Sequence, residues 1–357
     1  MLRRFATNMA KIPTTQTALV VKAIGKPLVS VSDWPVPSPG PKQVQVRVTV
    51  GALNPHDAYA RDFGLFIADD IPAVLGNDVV GEVTALGEGV KRYRVGDRVF
   101  GQGSMARASK ALQQYAVLDE DFSAEVPKGT SDDEAATLPS NIIADVVAFF
   151  DPTHLAVPAP WTGKTTTENS ILLVGGGSNC GRFAVQLARL SGFKTIVVVG
   201  GHEAELKSYG ATHVVDRHGG HETVTKRIRD IVGDDLTLAF DAASVPEEQH
   251  LAINALSNSK KGKLARLLWS RGEVQEALVQ PKKAGYELKN VMGSSSAHAD
   301  ITGPFWKNLG DYLAQGKIKA VEYATVDGLD ADKANEVLDA YTKGPRPKQT
   351  HFHPSKI

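Results

Sequence analysis

From Ile171 onward the chain alternates short apolar runs with amphipathic stretches, and this alternation constrains the fold more than any other feature. "SILLVGG" reads as a buried strand, and Arg182 to Leu190 then places Phe183, Leu187 and Leu190 on one helical face. "KTIVVVGG" is a second strand, and "EAELKSYG" a short helix closed by Gly210. "THVVD", "LTLAFDAAS" and "GKLARLLW" continue as strands, interleaved with the helical patterns "HETVTKRIRDIVG" and "PEEQHLAINALS". Repeated strand–helix units predict an α/β fold with a doubly wound parallel sheet, because right-handed crossovers lay each strand beside an earlier one.

The first of these units contains "LLVGGGSNCGRFAVQLARL", where Gly175, Gly176, Gly177 and Gly181 surround Ser178, Asn179 and Cys180. The G-x-G-x-x-G spacing is not met, since the sixth position counted from Gly175 is Cys180. Two readings stand. The glycines make a tight structural turn, or they cradle a dinucleotide pyrophosphate against the N–H groups and partial positive charge of a helix N-terminus. A strand before, a helix after and further such units downstream favour the cradle. Cys180 is the only cysteine. A helix N-terminus would lower its pKa, but a nucleophile beneath a pyrophosphate has no substrate carbon to attack, so it is read as a small packing residue.

The end of the second strand selects the nucleotide. An NAD site places an acid about 20 residues past the loop to accept from the ribose 2′-OH. Here that point holds Gly200, Gly201 and His202, which leaves room for a 2′-phosphate with His202, Lys207 and Arg217 as candidate cations. Glu203, opening the next helix, suits the macrodipole, and Lys207 also reads as a solvated helix residue. The expected cofactor is therefore NADPH. Ala242, within Asp241 to Ser244, ends a parallel strand at the edge where such sheets bind ligands. Ser294, in "VMGSSS", offers a contact to the nicotinamide carboxamide.

Before residue 150 the character differs. "QVQVRVTVGAL" alternates strictly over Gln43 to Val50, and "VVGEVTALGEGV" and "YRVGDRVFG" read as further strands joined at glycines. A compact, barrel-like antiparallel domain follows. "DPTHLAVPAPWTGKTTTE" connects the halves; after about residue 300, two amphipathic helices flank a strand near Val321 to Ala324.

At 357 residues the chain can bury two cores, and its 40 basic and 40 acidic residues cancel, which argues against a nucleic-acid partner. No apolar run approaches the roughly 20 residues that span a bilayer. One cysteine makes neither an internal disulfide nor a thiolate zinc cluster, which fits a reducing, cytoplasmic location. The start carries Arg3, Arg4, Lys11, Lys22 and Lys26 with no acid before Asp33. It reads either as a mitochondrial presequence or as a ragged basic terminus ahead of a strand at about Ala18 to Ala23.

"GALNPHDAYAR", "PAVLGNDVVGEVTALGEGV", "GDRVFG", "EAATLPSNIIA" and the glycine loop together carry a resemblance. From Ala18 onward the chain resembles the medium-chain dehydrogenase/reductase superfamily, and within it the zinc-independent quinone oxidoreductase and enoyl reductase branch, with a closing segment similar to fungal members. The resemblance implies a basic extension over 1–17, a GroES-like β-barrel catalytic domain over 18–145, a Rossmann NADP-binding domain over 146–298 and a return to the catalytic domain over 299–357. Zinc-dependent relatives place a ligand cysteine at the Asn54–Asp57 turn and a His-Glu pair at Asn77 and Asp78; neither Pro55 nor Asn77 can replace a thiolate or imidazole. His56 and Asp57 are adjacent and make a poor metal site, and His351 and His353 are expected to be solvated in a polar tail. No metal is expected.

Without a Lewis acid, hydride acceptors are restricted to those already electrophilic. The resemblance therefore implies an NADPH-dependent reductase of quinones, enones, enals, enoyl substrates or reactive aldehydes, acting as a monomer or homodimer. It places Asn54, Asp57 and Tyr59 beside the nicotinamide. Tyr59 is then a hydrogen-bond donor or proton source, its pKa near 10 keeping it protonated, or else wall packing. Asp57 and Asn54 equally suit the capping of a turn. Enoyl reductases of the wider branch carry a tyrosine further along, where this chain has Leu65. Asn141, in "LPSN", faces the nicotinamide or substrate, or caps a helix. The alternative is a non-catalytic NADPH-binding redox sensor.

Overall fold

The computed structural model describes residues 12–267, 272–344 and 347–356. Arg3, Arg4 and Lys11 of the basic start lie outside the described residues. The chain forms two compact units: the first takes in residues up to Glu120 and from Tyr323 onward, the second Asp121 to Glu322.

In the first unit the strand Gln43–Leu53 is central. It pairs antiparallel with Asp78–Leu86, Tyr115–Asp119 and Gln349–His353. The alternating pattern is realised in Val44, Val46, Val48 and Val50, all buried, while Arg47 and Thr49 stay half-exposed. Gln45 departs from it. The side chain is buried because its amide donates to Pro37 O at 2.6 Å and accepts from the Thr84 hydroxyl at 2.7 Å. A second, smaller sheet joins Thr15–Val21 to Val29–Pro35 and Ala73–Val74.

The helix Pro55–Phe63 opens at a proline, whose missing N–H costs nothing in the first turn. It packs on the helix Ala331–Lys343, and buried Arg61 reaches Asp339 at 2.6 Å. His351 and His353 correct the expectation of a solvated tail. Both are buried in the strand Gln349–His353, where His351 stacks on Tyr323 and His353 meets Asp327 at 3.0 Å. Polar composition concealed a strand whose faces are both covered.

The second unit is built on a six-stranded parallel sheet. In chain order its strands are Ser170–Val174, Thr195–Val199, His213–Val215, Leu238–Asp241, Gly262–Arg266 and Tyr286–Asn290. Their spatial order is 3-2-1-4-5-6, so the winding reverses between the first and fourth strands. That reversal leaves a crevice at the carboxyl ends of those two strands, the usual ligand position in such sheets. Phe183 and Leu187 are fully buried as their spacing predicts, and Leu190 is half-buried. The last strand is an amphipathic edge bearing a Lys289–Glu287 pair, and no apolar run marks it. This unit extends past the expected 146–298 span, because Pro139–Phe150 is a helix buried along nearly its whole length and Ala299–Ala314 packs against it. Among the described residues no helix is long and apolar enough to cross a membrane.

Candidate active site

In the second unit the glycine loop follows Val174 directly. Gly175 has φ +91, and a Cβ there would stand 2.5 Å from Ala243 Cβ. One on Gly176 would meet Val198 Cγ1 at 2.4 Å, and one on Gly181 would meet Gly175 O at 2.2 Å. All three distances are shorter than carbon tolerates, so the turn itself needs these glycines. Gly177 differs. A Cβ there meets nothing nearer than Gly201 Cα at 3.6 Å, and its N–H has no acceptor among the described residues.

Ser178 caps the helix Asn179–Leu190. Its Oγ accepts from the Gly181 N–H at 3.0 Å and donates to Gly175 O at 2.8 Å. Asn179 and Cys180 form the first turn. The half-buried Cys180 thiol donates to Asn141 Oδ1 at 3.7 Å. Asn141 sits inside the first turn of Pro139–Phe150 rather than at its cap, and its amide donates to Thr137 O at 3.0 Å. Helix start and glycine turn together fit a pyrophosphate: one loop amide open to it, and the positive end of a twelve-residue helix behind.

The three candidate cations separate. His202 caps the helix Glu203–Tyr209, accepting from Glu205 N at 3.4 Å. Lys207 pairs with Glu203 at 2.7 Å. Arg217 lies across Gly200, its Cδ 3.6 Å from where a Cβ would be, and its guanidinium has no partner among the described residues. Gly201 has φ +91 and packs against Gly176. Ala242 is buried, its N–H on Val174 O at 3.0 Å. Ser294 is half-buried, its N–H on Met292 O.

Two buried acids stand in this unit: Asp241, at the strand end that the sequence marks as a ligand edge, and Asp145, which no motif marks. Asp241 accepts from Ala243 N and Ser244 N, while its Oδ2 has no partner among the described residues, and burial raises its pKa. Asp145 is completely buried, neither oxygen has a partner among the described residues, and burial holds its carboxyl well above the ordinary range.

In the first unit, Asn54 is the N-cap of Pro55–Phe63, but its side chain is committed elsewhere. Its amide donates to Asp78 Oδ2 at 2.6 Å and accepts from Gln349 at 3.2 Å. Gln349 also donates to Asp78 Oδ2, at 2.9 Å. Asp57 is not the cap. It lies three positions on, its carboxylate accepting from Asn54 N at 2.8 Å and Gly76 N at 2.9 Å. Tyr59 is half-buried and stacks on Phe63, centroids 6.0 Å apart.

Lys110 was not foreseen. It is 5% exposed, and its Nζ donates to Asn77 Oδ1 at 2.7 Å. The two remaining N–H groups of the ammonium, and the Asn77 amide hydrogens, have no acceptor among the described residues. Burial lowers the Lys110 pKa, with Asp57 and Asp70 pulling the other way. This donor set does not fit zinc. An amide and an ammonium stand at Asn77, and two amides already occupy the Asp78 carboxylate. Among the described residues no three of His, Cys, Asp and Glu are grouped to hold a metal.

Comparison with known proteins matches residues 40–128 to the alcohol dehydrogenase GroES-like domain and residues 180–307 to the zinc-binding dehydrogenase family. Dehydrogenase azaJ of Aspergillus niger is 30% identical over 351 residues, covering 92% of this chain and 96% of the relative. The chain is a medium-chain dehydrogenase/reductase. Trans-enoyl reductase opdC of Penicillium oxalicum is 29% identical over 264 residues, 70% of each chain. A mycobacterial protein, Rv1454c, solved in complex with NADPH, shares the fold with TM-score 0.71 at 21% identity, over 95% of this chain and 100% of that one.

This dehydrogenase/reductase is thus an oxidoreductase with a GroES-like domain and a Rossmann domain. The opening strand and glycine turn of its parallel sheet precede residue 180, where the second family match begins.

Proposed function

We propose that this dehydrogenase/reductase uses NADPH to reduce small electrophilic acceptors, namely quinones, enones, enals, enoyl substrates or reactive aldehydes, without zinc. The Lys110–Asn77 pair carries the reading. A buried ammonium with unused donors, beside an amide with unused donors, suits an oxygen that gains negative charge. When bound, the reduced nicotinamide supplies the hydride. Lys110 and Asn77 then hold the acceptor oxygen as the displaced electron pair collects on it, and Lys110 is the nearest proton source for that oxygen. Asn54, Asp78 and Gln349 fix the strand and helix ends on which this pair rests. Tyr59 is the second candidate donor, and Arg217, which lies over Gly200 and has no partner among the described residues, is the group that would hold a 2′-phosphate.

Support for NADPH comes from Arg217 and from the NADPH complex of a structural neighbour; support for enoyl acceptors comes from the name of a sequence relative. The test follows NADPH absorbance with a panel of quinones, enones, enals and enoyl thioesters after chelation of metals. Oxidation by at least one class is expected. Tight NADPH binding with no oxidation by any of them would leave the sensor reading in its place.

A further inference from the structure

Three large apolar side chains stand in solvent around Gly64. Phe63 is 72% exposed, Phe66 50% and Ile24 41%. Gly64 ends the helix Pro55–Phe63 in the left-handed conformation, and Ile24 Cδ1 lies only 2.7 Å from where its Cβ would be. Phe66 itself has φ +63, a backbone glycine adopts more readily than phenylalanine. One turn back, the Tyr59 ring stacks on Phe63 at an interplanar angle of 26°. Half-buried Tyr59 and exposed Phe63 on the helix, with exposed Phe66 in the turn after it, therefore form an aromatic strip.

The same helix begins at Asn54 and Asp57, and the Asp57 carboxylate takes the N–H of Gly76, the residue before Asn77. The strip thus runs outward from the helix end nearest the Lys110–Asn77 donors. Polar donors at one end and aromatic rings along the other match a molecule with one carbonyl and a hydrocarbon chain. A second copy of the protein fits less well, because three side chains of about 150–250 Å² each expose too little for the roughly 800 Å² per partner of a stable interface. Exposed Asp69, three residues beyond Phe66, disfavours an anionic membrane.

We propose that Tyr59, Phe63 and Phe66 seat the hydrocarbon tail of the acceptor, making long unbranched enals and enones better substrates than short ones. This rests on the reading of the protein as a reductase of carbonyl acceptors. The reaction is unchanged: hydride adds to the acceptor carbon, the electron pair moves to oxygen, a proton neutralises it, and the nicotinamide leaves oxidised. Only the tail's cover is new.

The test is kcat/KM for unbranched 2-alkenals of about four to ten carbons, in the wild type and in Phe63→Ser/Phe66→Gly, where glycine suits the backbone at 66. Each added methylene should raise the wild-type value about twofold to fourfold while the rings cover it. In the variant the ten-to-four-carbon ratio should fall at least about tenfold, with the thermal midpoint showing an intact fold. A flat wild-type series overturns the tail site even if the variant fails to fold, and so does a variant that keeps the wild-type slope. A dimer in solution that these substitutions dissociate also overturns it. If neither an alkenal of any length nor any quinone, enone or enoyl thioester oxidises NADPH, the reductase reading falls as well; turnover of any of these acceptors with a flat or inactive alkenal series sinks the tail site alone.

Discussion

Lys207 Nζ lies 2.7 Å from Glu203 Oε1, one turn back on the same helix, so its charge is matched before any nucleotide arrives. Arg217 has no such partner among the described residues. The pair at 207 is exposed and contributes little by itself, but it separates two cations that sequence alone could not rank. Arg217→Ala should weaken NADPH binding about tenfold to a hundredfold, the usual loss for a charge-assisted hydrogen bond. NADH affinity should change little, and Lys207→Ala should leave both cofactors as they were. Titration of intrinsic fluorescence with each cofactor checks the pattern; equal losses at both positions would contradict it.

The two roles of the glycine loop are separable by substitution. Gly181→Ala forces a Cβ to within 2.2 Å of Gly175 O, so it should lower the thermal midpoint and abolish cofactor binding together. Gly177→Ala meets no atom nearer than 3.6 Å and should leave the midpoint nearly unchanged, yet weaken NADPH binding about tenfold or more, since only a bound phosphate needs that approach. Calorimetry with and without NADPH reads both. An unaltered affinity in Gly177→Ala would mean that the loop is a turn and nothing more.

Asp145 carries a pH signature. Its carboxyl is raised in the folded state, so the fold holds a proton there that the unfolded chain releases above the ordinary carboxylate range. Stability from this group is therefore present at low pH and lost as pH rises toward the raised value. Asp145→Asn removes the ionisation while keeping the shape. Its thermal midpoint should exceed the wild type's at pH 8 by about 3 °C or more, and the gap should shrink at pH 5. A gap of constant size would show that ionisation is not involved.

His250 works in the opposite direction. Its Nε2 lies 2.6 Å from His221 Nδ1, and burial, with the neighbouring imidazole, lowers its pKa. The neutral form is favoured by folding, so this contribution is full above the unfolded value of about 6.5 and is lost as pH falls below it. Urea midpoints should drop between pH 7.5 and 5.5, and drop less in His250→Gln. Identical pH slopes in the two proteins would remove the pair from the account.

The second unit was legible because each of its inner strands is a run of apolar residues beside a turn, as in "SILLVGG" and "KTIVVVGG". Pro139–Phe150 was not, for the complementary reason: a helix apolar on every side has no periodic face to display. Gln349–His353 looked like a polar tail because its buried polar groups find partners, Asp78 and Asp327, far away in the chain. The candidate residues of the two units divided along the same line. Asn54, Asp57 and the glycines belong to contiguous motifs, whereas Lys110 meets Asn77 across 33 residues and through an ordinary-looking "ASKAL". What spacing cannot show is which cation a fold leaves unpaired.

The most direct test of the central claim is the single-turnover rate of NADPH oxidation by an enal, measured after metal chelation in the wild type, Lys110→Met and Lys110→Arg. The wild type should keep its full rate without metal. Lys110→Met should be slower by about a hundredfold to a thousandfold, as for loss of an oxyanion donor. In the proposed role Lys110 is an ammonium whose pKa burial lowers, so the wild-type rate should fall as pH rises through that value, and Lys110→Arg should move this alkaline limb upward. A wild type silenced by chelation, or a Lys110→Met that reduces the enal at the wild-type rate, would contradict the account.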